Sequence, residues 1–402
     1  MDRAPPARAG GTVLPRAVVA LGVVSLLTDV SSEMIFSLLP AFLAARFPGA
    51  PLVLGAMEGL AELVSSGLKL LSGHWADRAR SLKRLVIAGY TVSTVARPLM
   101  AVVTRWWQPL LVRSADRVGK GVRTSPRDAL IARWVPVEAR ARAFGFHRGM
   151  DHLGAALGAA VALALTAAGF TPELVFVWSA IPGAAALGAL AFTGDPPPAA
   201  AVERDLSEVP TAGSAAVPRS AWRFLAPVAL FGLANSTDAF LLLRLAEQGA
   251  GVTVLPFAWL LLHVVKASVS FPAGWAADRL GPGRVVLAGW LLYAASYAGL
   301  ALSTSWATTV GVIAFYGLYH ALSEGAERSL LTQLVPPAAL GRAFGLYHSI
   351  CGVAALVAGL LFGAVWTRAG GAVAFLLAGG TAAFAAALLL LLRPRSLAPA
   401  AR

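Results

Sequence analysis

Arg113, Asp116, Arg117 and Lys120 stand at i, i+3, i+4 and i+7 within RSADRVGKGVRTSPRDAL, residues 113–130. On a helix that spacing gathers two guanidiniums, an ammonium and a carboxylate on one face. Such a face can clamp an anion, hold an ion pair or pass a proton. Carboxylates recur four apart at Asp29 and Glu33 and again at Glu58 and Glu62, while His147, Arg148, Asp151 and His152 crowd another short stretch. Asp238 and Arg244, His263 and Lys266, and His320, Glu324 and Arg328 follow in the second half. Three chemistries fall away at once. A phosphate-binding loop needs G-x-x-x-x-G-K-[ST], yet Gly119-Lys120 is followed by Gly121 and position 114 is Ser. No His spacing matches a metal site such as HExxH, so neither a metal nor another cofactor is expected. No clustered acid, base or nucleophile points to an enzyme.

These charges sit in an apolar chain. Charged residues are 13% of the 402 positions and hydrophobic ones 57%, where a soluble domain carries about 25% charged residues. The chain is read as an integral membrane protein. About 20 apolar residues cross a bilayer as a helix, and that ruler places spans near 17–46, 51–76, 83–104, 107–132, 141–168 and 173–193. A second set falls near 222–247, 252–277, 284–303, 306–333, 342–367 and 372–392. The basic, apolar start has no small-residue cleavage site and is read as a first span that stays. The fold class is therefore all-α, with twelve transmembrane helices in two six-helix bundles. Residues 1–193 form the first bundle, 194–220 a Pro-, Ala- and charge-rich linker, and 221–402 the second. Beyond Gly121, the pattern predicts a polar turn and then a short surface helix with Pro126 in its first turn.

The halves repeat. GHWADR at Gly73–Arg78 returns as GWAADR at Gly274–Arg279, and VP and RAFG at 135–136 and 142–145 return 200 positions later. Arg and Lys gather in the loops after the even-numbered spans, whereas the opposite loops hold Arg46, Arg105 and Arg368. By the positive-inside rule both termini and the linker are cytoplasmic. Topology thus accounts for the net charge of +13, and nucleic acid is not an expected partner. Cys351 stands alone, which excludes an internal disulfide.

An ionisable side chain at the bilayer centre costs about 2.5–3.5 kcal/mol on insertion scales unless paired or wet. So many of them imply a hydrated cavity, ion pairs, or both. Arg148 and Asp151 share one helix and suit a structural pair. Asp29, Glu33 and Asp116 suit a cavity where carboxylates exchange protons. Lys266 is exceptional in a chain that otherwise writes Arg, and it can lose its proton where Arg cannot. Lys69 is expected to snorkel at the edge, and Glu58 to lie near the outer surface. Trp75, Trp106, Trp107, Trp178, Trp290 and Trp306 read as interface anchors.

Gly73-His74-Trp75-Ala76-Asp77-Arg78, followed by Arg80, Lys83 and Arg84, resembles the loop motif of the major facilitator superfamily. So does its copy, although only the second, DRLGPGR, keeps the family's glycine, at Gly281. The resemblance covers essentially the whole chain. It implies two bundles that rock about a central cavity lined by spans 1, 4, 7 and 10, with help from 2, 5, 8 and 11. Gly73, Asp77, Arg78, Gly274, Asp278 and Arg279 become the cytoplasmic gate. Arg113 matches the arginine that the family carries in span 4, while Asp116 and Arg117 replace the Gln and Gly that usually follow it. Some relatives export drugs and carry Gly-Pro in span 5, whereas this chain has Gly154 and Gly158 without a proline. The expectation is a secondary transporter in a bacterial inner membrane, acting as a monomer on a small polar or charged solute. Protons are its expected coupling ion, with Asp29, Glu33, Glu62, Arg113, Asp116, Arg148, Asp151, Asp238, Lys266 and Glu324 as candidate substrate or coupling residues. A multidrug or metabolite efflux antiporter is the alternative within the fold. A transporter-like sensor or a membrane-embedded enzyme is the alternative outside it.

Overall fold

A computed structural model describes residues 14–78, 81–135, 140–193, 217–336 and 339–392. Among them there is no strand. In the first half, span 1 runs as Arg16–Phe36 and Leu39–Arg46, span 2 as Ala50–Arg78, and span 3 as Leu82–Ala96 closing in a 3-10 turn. Span 4 is Gln108–Trp134, span 5 Arg140–Ala167, and span 6 Pro172–Trp178 with Ala180–Ala191. In the second half, span 7 is Arg219–Ala234 and Ala239–Glu247, span 8 Val254–Leu280, span 9 Pro282–Leu302. Spans 10, 11 and 12 are Trp306–Leu334, Leu340–Ala369 and Gly371–Leu392. The chain is an all-α membrane protein of twelve spans in two pseudo-symmetric six-helix bundles. Positions 194–216 of the expected linker lie outside the described residues.

Eight spans are long and apolar enough throughout to meet lipid; spans 2, 4, 8 and 10 are not, span 8 qualifying only over Val254–Ser270. Those four carry much of the buried charge, and a charged helix survives at membrane depth only where protein or water covers it. They therefore face inward. Ser81, Thr171 and Ser305 cap helix starts by accepting the backbone N–H three residues on. Gly281, the glycine kept in the second motif copy, has φ +90°. That left-handed turn, disfavoured for residues with a Cβ, lets span 8 reverse directly into span 9.

Spans 1 and 7 are each broken at matching points. In span 1, Pro40 in the first turn of the second segment cannot donate to the ladder, and the helix restarts after Ser37–Leu38. In span 7, Asn235–Asp238 leave the helix altogether, so the expected continuous span 222–247 is two helices. Span 4 differs the other way. Instead of a turn after Gly121, the helix continues through Pro126 to Trp134. The Ser125 hydroxyl donates to the Lys69 carbonyl of span 2 and ties that stretch sideways, 3.0 Å.

The face where spans 1 and 7 begin and spans 6 and 12 end is called here the terminal face, and the opposite one the far face. The halves meet toward the far face, where spans 2 and 11 touch backbone to backbone. A Cβ placed on Gly55 would stand 1.9 Å from the Gly359 carbonyl oxygen, and one on Gly363 would stand 2.5 Å from that of Pro51. Toward the terminal face the glycines of the same region, Gly67, Gly145, Gly149, Gly274 and Gly325, have nothing within 4 Å of an added Cβ. Between the halves, backbone meets backbone at the far end of spans 2 and 11. Toward the terminal face the contacts that cross are looser side-chain ones, Gly352 beside Ser66 and Arg148 with Glu324.

Candidate functional site

The looser side leads into two adjoining cavities that share Glu33, Arg113 and Arg117. The upper one, about 280 Å³, lies between the halves against the unwound Asn235–Asp238 segment. The lower one, about 420 Å³, opens toward the terminal face and is lined mainly by spans 1, 4 and 5.

The first half holds a closed ionic network. Arg113 donates both edges of its guanidinium to Glu58, at 2.7 and 3.1 Å, and reaches Asp116 at 3.4 Å. Arg97 of span 3 donates to the other Asp116 oxygen at 3.0 Å and to the Thr28 carbonyl at 2.9 Å. Two carboxylates and two guanidiniums thus neutralise each other, all buried. Fork-to-carboxylate pairing of this kind is the strong, geometry-specific form of the ion pair. Glu58 is therefore a buried partner between spans 2 and 4, not an outer-surface residue. Its pairing requires only the register that brings position 58 opposite 113.

The second half has a smaller counterpart. Asp238, released from the helix by the break in span 7, accepts from Lys266 at 3.2 Å and from the Tyr316 hydroxyl at 2.7 Å, with His320 at 3.1 Å. Glu33 links the halves, accepting from the Trp259 indole N–H at 2.8 Å, while Trp259 packs on Phe36 with ring centroids 4.8 Å apart. Glu62 lines the upper cavity, accepts from Ser66 at 3.1 Å and stands 3.9 Å from Lys69. Asp29 lines the lower cavity, and its carboxylate makes no hydrogen bond or ion pair among the described residues.

Asp151 accepts from Ser25 of span 1 at 2.5 Å, and the His147 Nδ1 stands 3.5 Å from the same oxygen. Arg148, expected to pair along its own helix, is 4.0 Å from Asp151 but reaches across to Glu324 of span 10 at 2.6 Å. That pair joins the two halves, and both of its side chains are about half exposed. An exposed pair contributes about 0–1 kcal/mol. Arg148→Ala is therefore expected to move the thermal midpoint of the purified protein by no more than about 2 °C; a drop beyond about 5 °C would mean that the pair holds the bundle together.

Of the expected gate, Gly274 sits in open space and Arg279 is exposed. The side chains of Asp77, Arg78 and Asp278, and the surroundings of Gly73, fall outside the described residues. Trp290, read as an interface anchor, is fully buried and donates to Glu327 at 2.8 Å. Sequence reasoning passed over Arg97, Trp259 and the Asn235–Thr237 segment. Arg97 had a usable signal, a lone cation at the end of an apolar run; the other two become visible only when the helices are assembled.

A family model described as Major Facilitator Superfamily matches residues 21–265 and 249–402. An uncharacterized MFS-type transporter of Methanocaldococcus jannaschii is 29% identical over 88% of this chain and 89% of its own length. Among solved structures, a bacterial homolog of the human lysosomal transporter Spinster, inward-facing and unoccupied, aligns with a TM-score of 0.75 at 15% identity, covering 95% of this chain and 97% of that one. The nucleoside transporter NupG aligns with a TM-score of 0.76 at 13% identity, covering 94% of this chain and 99% of that one.

Proposed function

The chain belongs to the major facilitator superfamily, and on that premise we propose that it is a proton-coupled secondary transporter of a small polar or charged solute in a cell membrane. The observation that carries the reading is the charge-lined cavity between two bundles, closed at the far face and open at the terminal face. One binding site reachable from one side at a time is what alternating access requires. Described loop-end cations support a cytoplasmic terminal face: Lys83, Arg84, Arg133, Arg279, Arg284 and Arg342 lie there, against Arg46, Arg105 and Arg368 at the other face. On that orientation the conformation is inward-open. Asp77, Arg78 and Asp278 then serve as gate groups that engage when the terminal face closes.

Asp29 is the coupling carboxylate in this reading. Its neighbours in the ionic network are neutralised by direct partners, whereas Asp29 faces the cavity without one. An unpaired carboxylate at membrane depth is where a proton can be taken up and released as the cavity alternates. Asp29→Asn is expected to lower uptake driven by an imposed pH gradient in proteoliposomes about ten-fold or more, while solute exchange without a gradient persists. Intact gradient-driven uptake in a folded Asp29→Asn protein would remove Asp29 from the coupling step. Uptake driven by sodium and indifferent to pH would remove the proton.

A further inference from the structure

Resting on the transport reading, we propose that the solute carries an oxyanion group, a carboxylate or a phosphate, and that Arg117 and Lys120 of span 4 receive it. The lower cavity is lined by nine Arg and Lys side chains against five carboxylates. Excess charge alone would be a weak argument, because most of those cations are engaged. Arg97 and Arg113 belong to the closed network with Glu58 and Asp116. Arg127 pairs with Asp128 at 2.8 Å, and Arg148 and Arg328 share Glu324. Arg123 donates to Ser93 at 2.6 Å and lies over the Tyr90 ring.

Arg117 and Lys120 are different. The Arg117 Nε is buried and has no hydrogen-bond partner. Its nearest carboxylate, Glu58, stands 3.8 Å away and is already held at both oxygens by Arg113. Lys120, one turn further along the same face, has no carboxylate within 4 Å among the described residues and meets Asp29 only at longer range across the lower cavity. Buried donors are almost always satisfied, and an unsatisfied one costs about 1–3 kcal/mol, more when charged. An arriving acceptor with two oxygens can bridge the cavity-lining end of the Arg117 guanidinium and the Lys120 ammonium. A guanidinium fork matches carboxylate and phosphate geometry, and an ammonium beside it adds a point charge. Arg117 lines both cavities, so a group held there lies at their junction, and the lower cavity, about 420 Å³, falls within the volume of about 300–1,000 Å³ usual for small-molecule sites.

The test is equilibrium binding to the purified full chain in detergent, by titration calorimetry and thermal shift, which needs no transport. The probes are matched pairs, glucose 6-phosphate with glucose and succinate with succinamide, together with inorganic phosphate and the dication putrescine. At least one anionic member is expected to bind, its neutral counterpart at least about ten-fold more weakly. Arg117→Gln removes one charge-assisted donor and is expected to weaken that binding roughly ten- to hundred-fold. Arg117→Lys should retain part of it, and Arg46→Gln, at the far face, all of it. Lys120→Met supplies a second variant should Arg117→Gln fail to fold. The proposal is overturned if neutral or cationic probes bind as well as the anions, or if a folded Arg117→Gln and Lys120→Met both bind the anion undiminished. It is also overturned if no anionic probe binds at about 10 mM, ten times the weakest affinity usual for a substrate. Arg117-dependent binding without flux in proteoliposomes would leave this site standing and fell the transport reading; flux of a purely neutral solute would do the reverse.

Discussion

Asp116→Ala is expected to destabilise the protein by about 3–5 kcal/mol, the usual loss when one partner of a buried ion pair is removed. Asp116 is 4% exposed and lies between Arg97 and Arg113, themselves 5% and 6% exposed. Its removal leaves Arg113 with Glu58 and leaves Arg97 with only the Thr28 carbonyl. An uncompensated guanidinium at that depth has three ways to recover: draw in water, pull the helices apart, or swing toward the lower cavity. Each loosens the contact of span 3 with spans 1 and 4. The measurement is reversible unfolding of the purified protein in mild detergent, with a companion that separates charge from packing. Arg97→Met with Asp116→Leu removes the pair rather than breaking it. Replacing a buried ion pair with apolar groups of similar size is often neutral or better, so the double variant is expected to recover most of the loss. If Asp116→Ala costs less than about 1 kcal/mol, or if the double variant is no better than the single one, the network is wet and its charges are not held against each other.

The same network shows what the sequence could and could not reveal. The spans were legible because a bilayer sets the length of an apolar helix, and the placement of charge on spans 4, 8 and 10 announced an interior polar surface. The shared face of Arg113, Asp116, Arg117 and Lys120 was legible from helical spacing alone. Which acid meets which base was not. Glu58 and Arg113 are 55 residues apart, and Arg97 and Asp116 are 19 apart; their meeting depends on the rotation of each helix about its own axis, which period and composition leave free. Arg148 illustrates the same gap. Asp151 lies within reach by spacing, yet Glu324 on the other half is closer in space. The break in span 7 escaped for a different reason. NSTD at 235–238 contains no proline, and in isolation its residues fit an apolar helix with a polar notch. It unwinds where Asp238 can meet Lys266, Tyr316 and His320.

Gly55, Gly59, Gly359 and Gly363 were in plain view as two small-x-x-x-small pairs, the spacing that lets membrane helices touch, yet so many glycines made them look ordinary. In the assembled bundle they form the far-face seal, and Gly359→Leu is expected to break it. A Cβ at Gly359 would lie 2.3 Å from the Gly55 carbonyl oxygen and 3.3 Å from its Cα. Those are backbone atoms with no rotamer to change, so spans 2 and 11 must separate. Forced overpacking costs about 1–3 kcal/mol, and that penalty falls only on the conformation in which the two spans touch. If the far face opens during transport, the variant shifts the population toward that open state by roughly 5- to 150-fold. A reporter cysteine at Ala355, which lines the upper cavity beside Gly359, tests this in a Cys351→Ser background. Membrane-impermeant maleimide added from the far side is expected to label the Gly359→Leu form at least about five-fold faster than the parent, with uptake falling at least about ten-fold. Gly67→Leu, where an added Cβ meets nothing within 4 Å, should change neither reading. Normal uptake and a shut far face in Gly359→Leu would mean that spans 2 and 11 do not form the seal, and the two halves would have to pivot on some other contact.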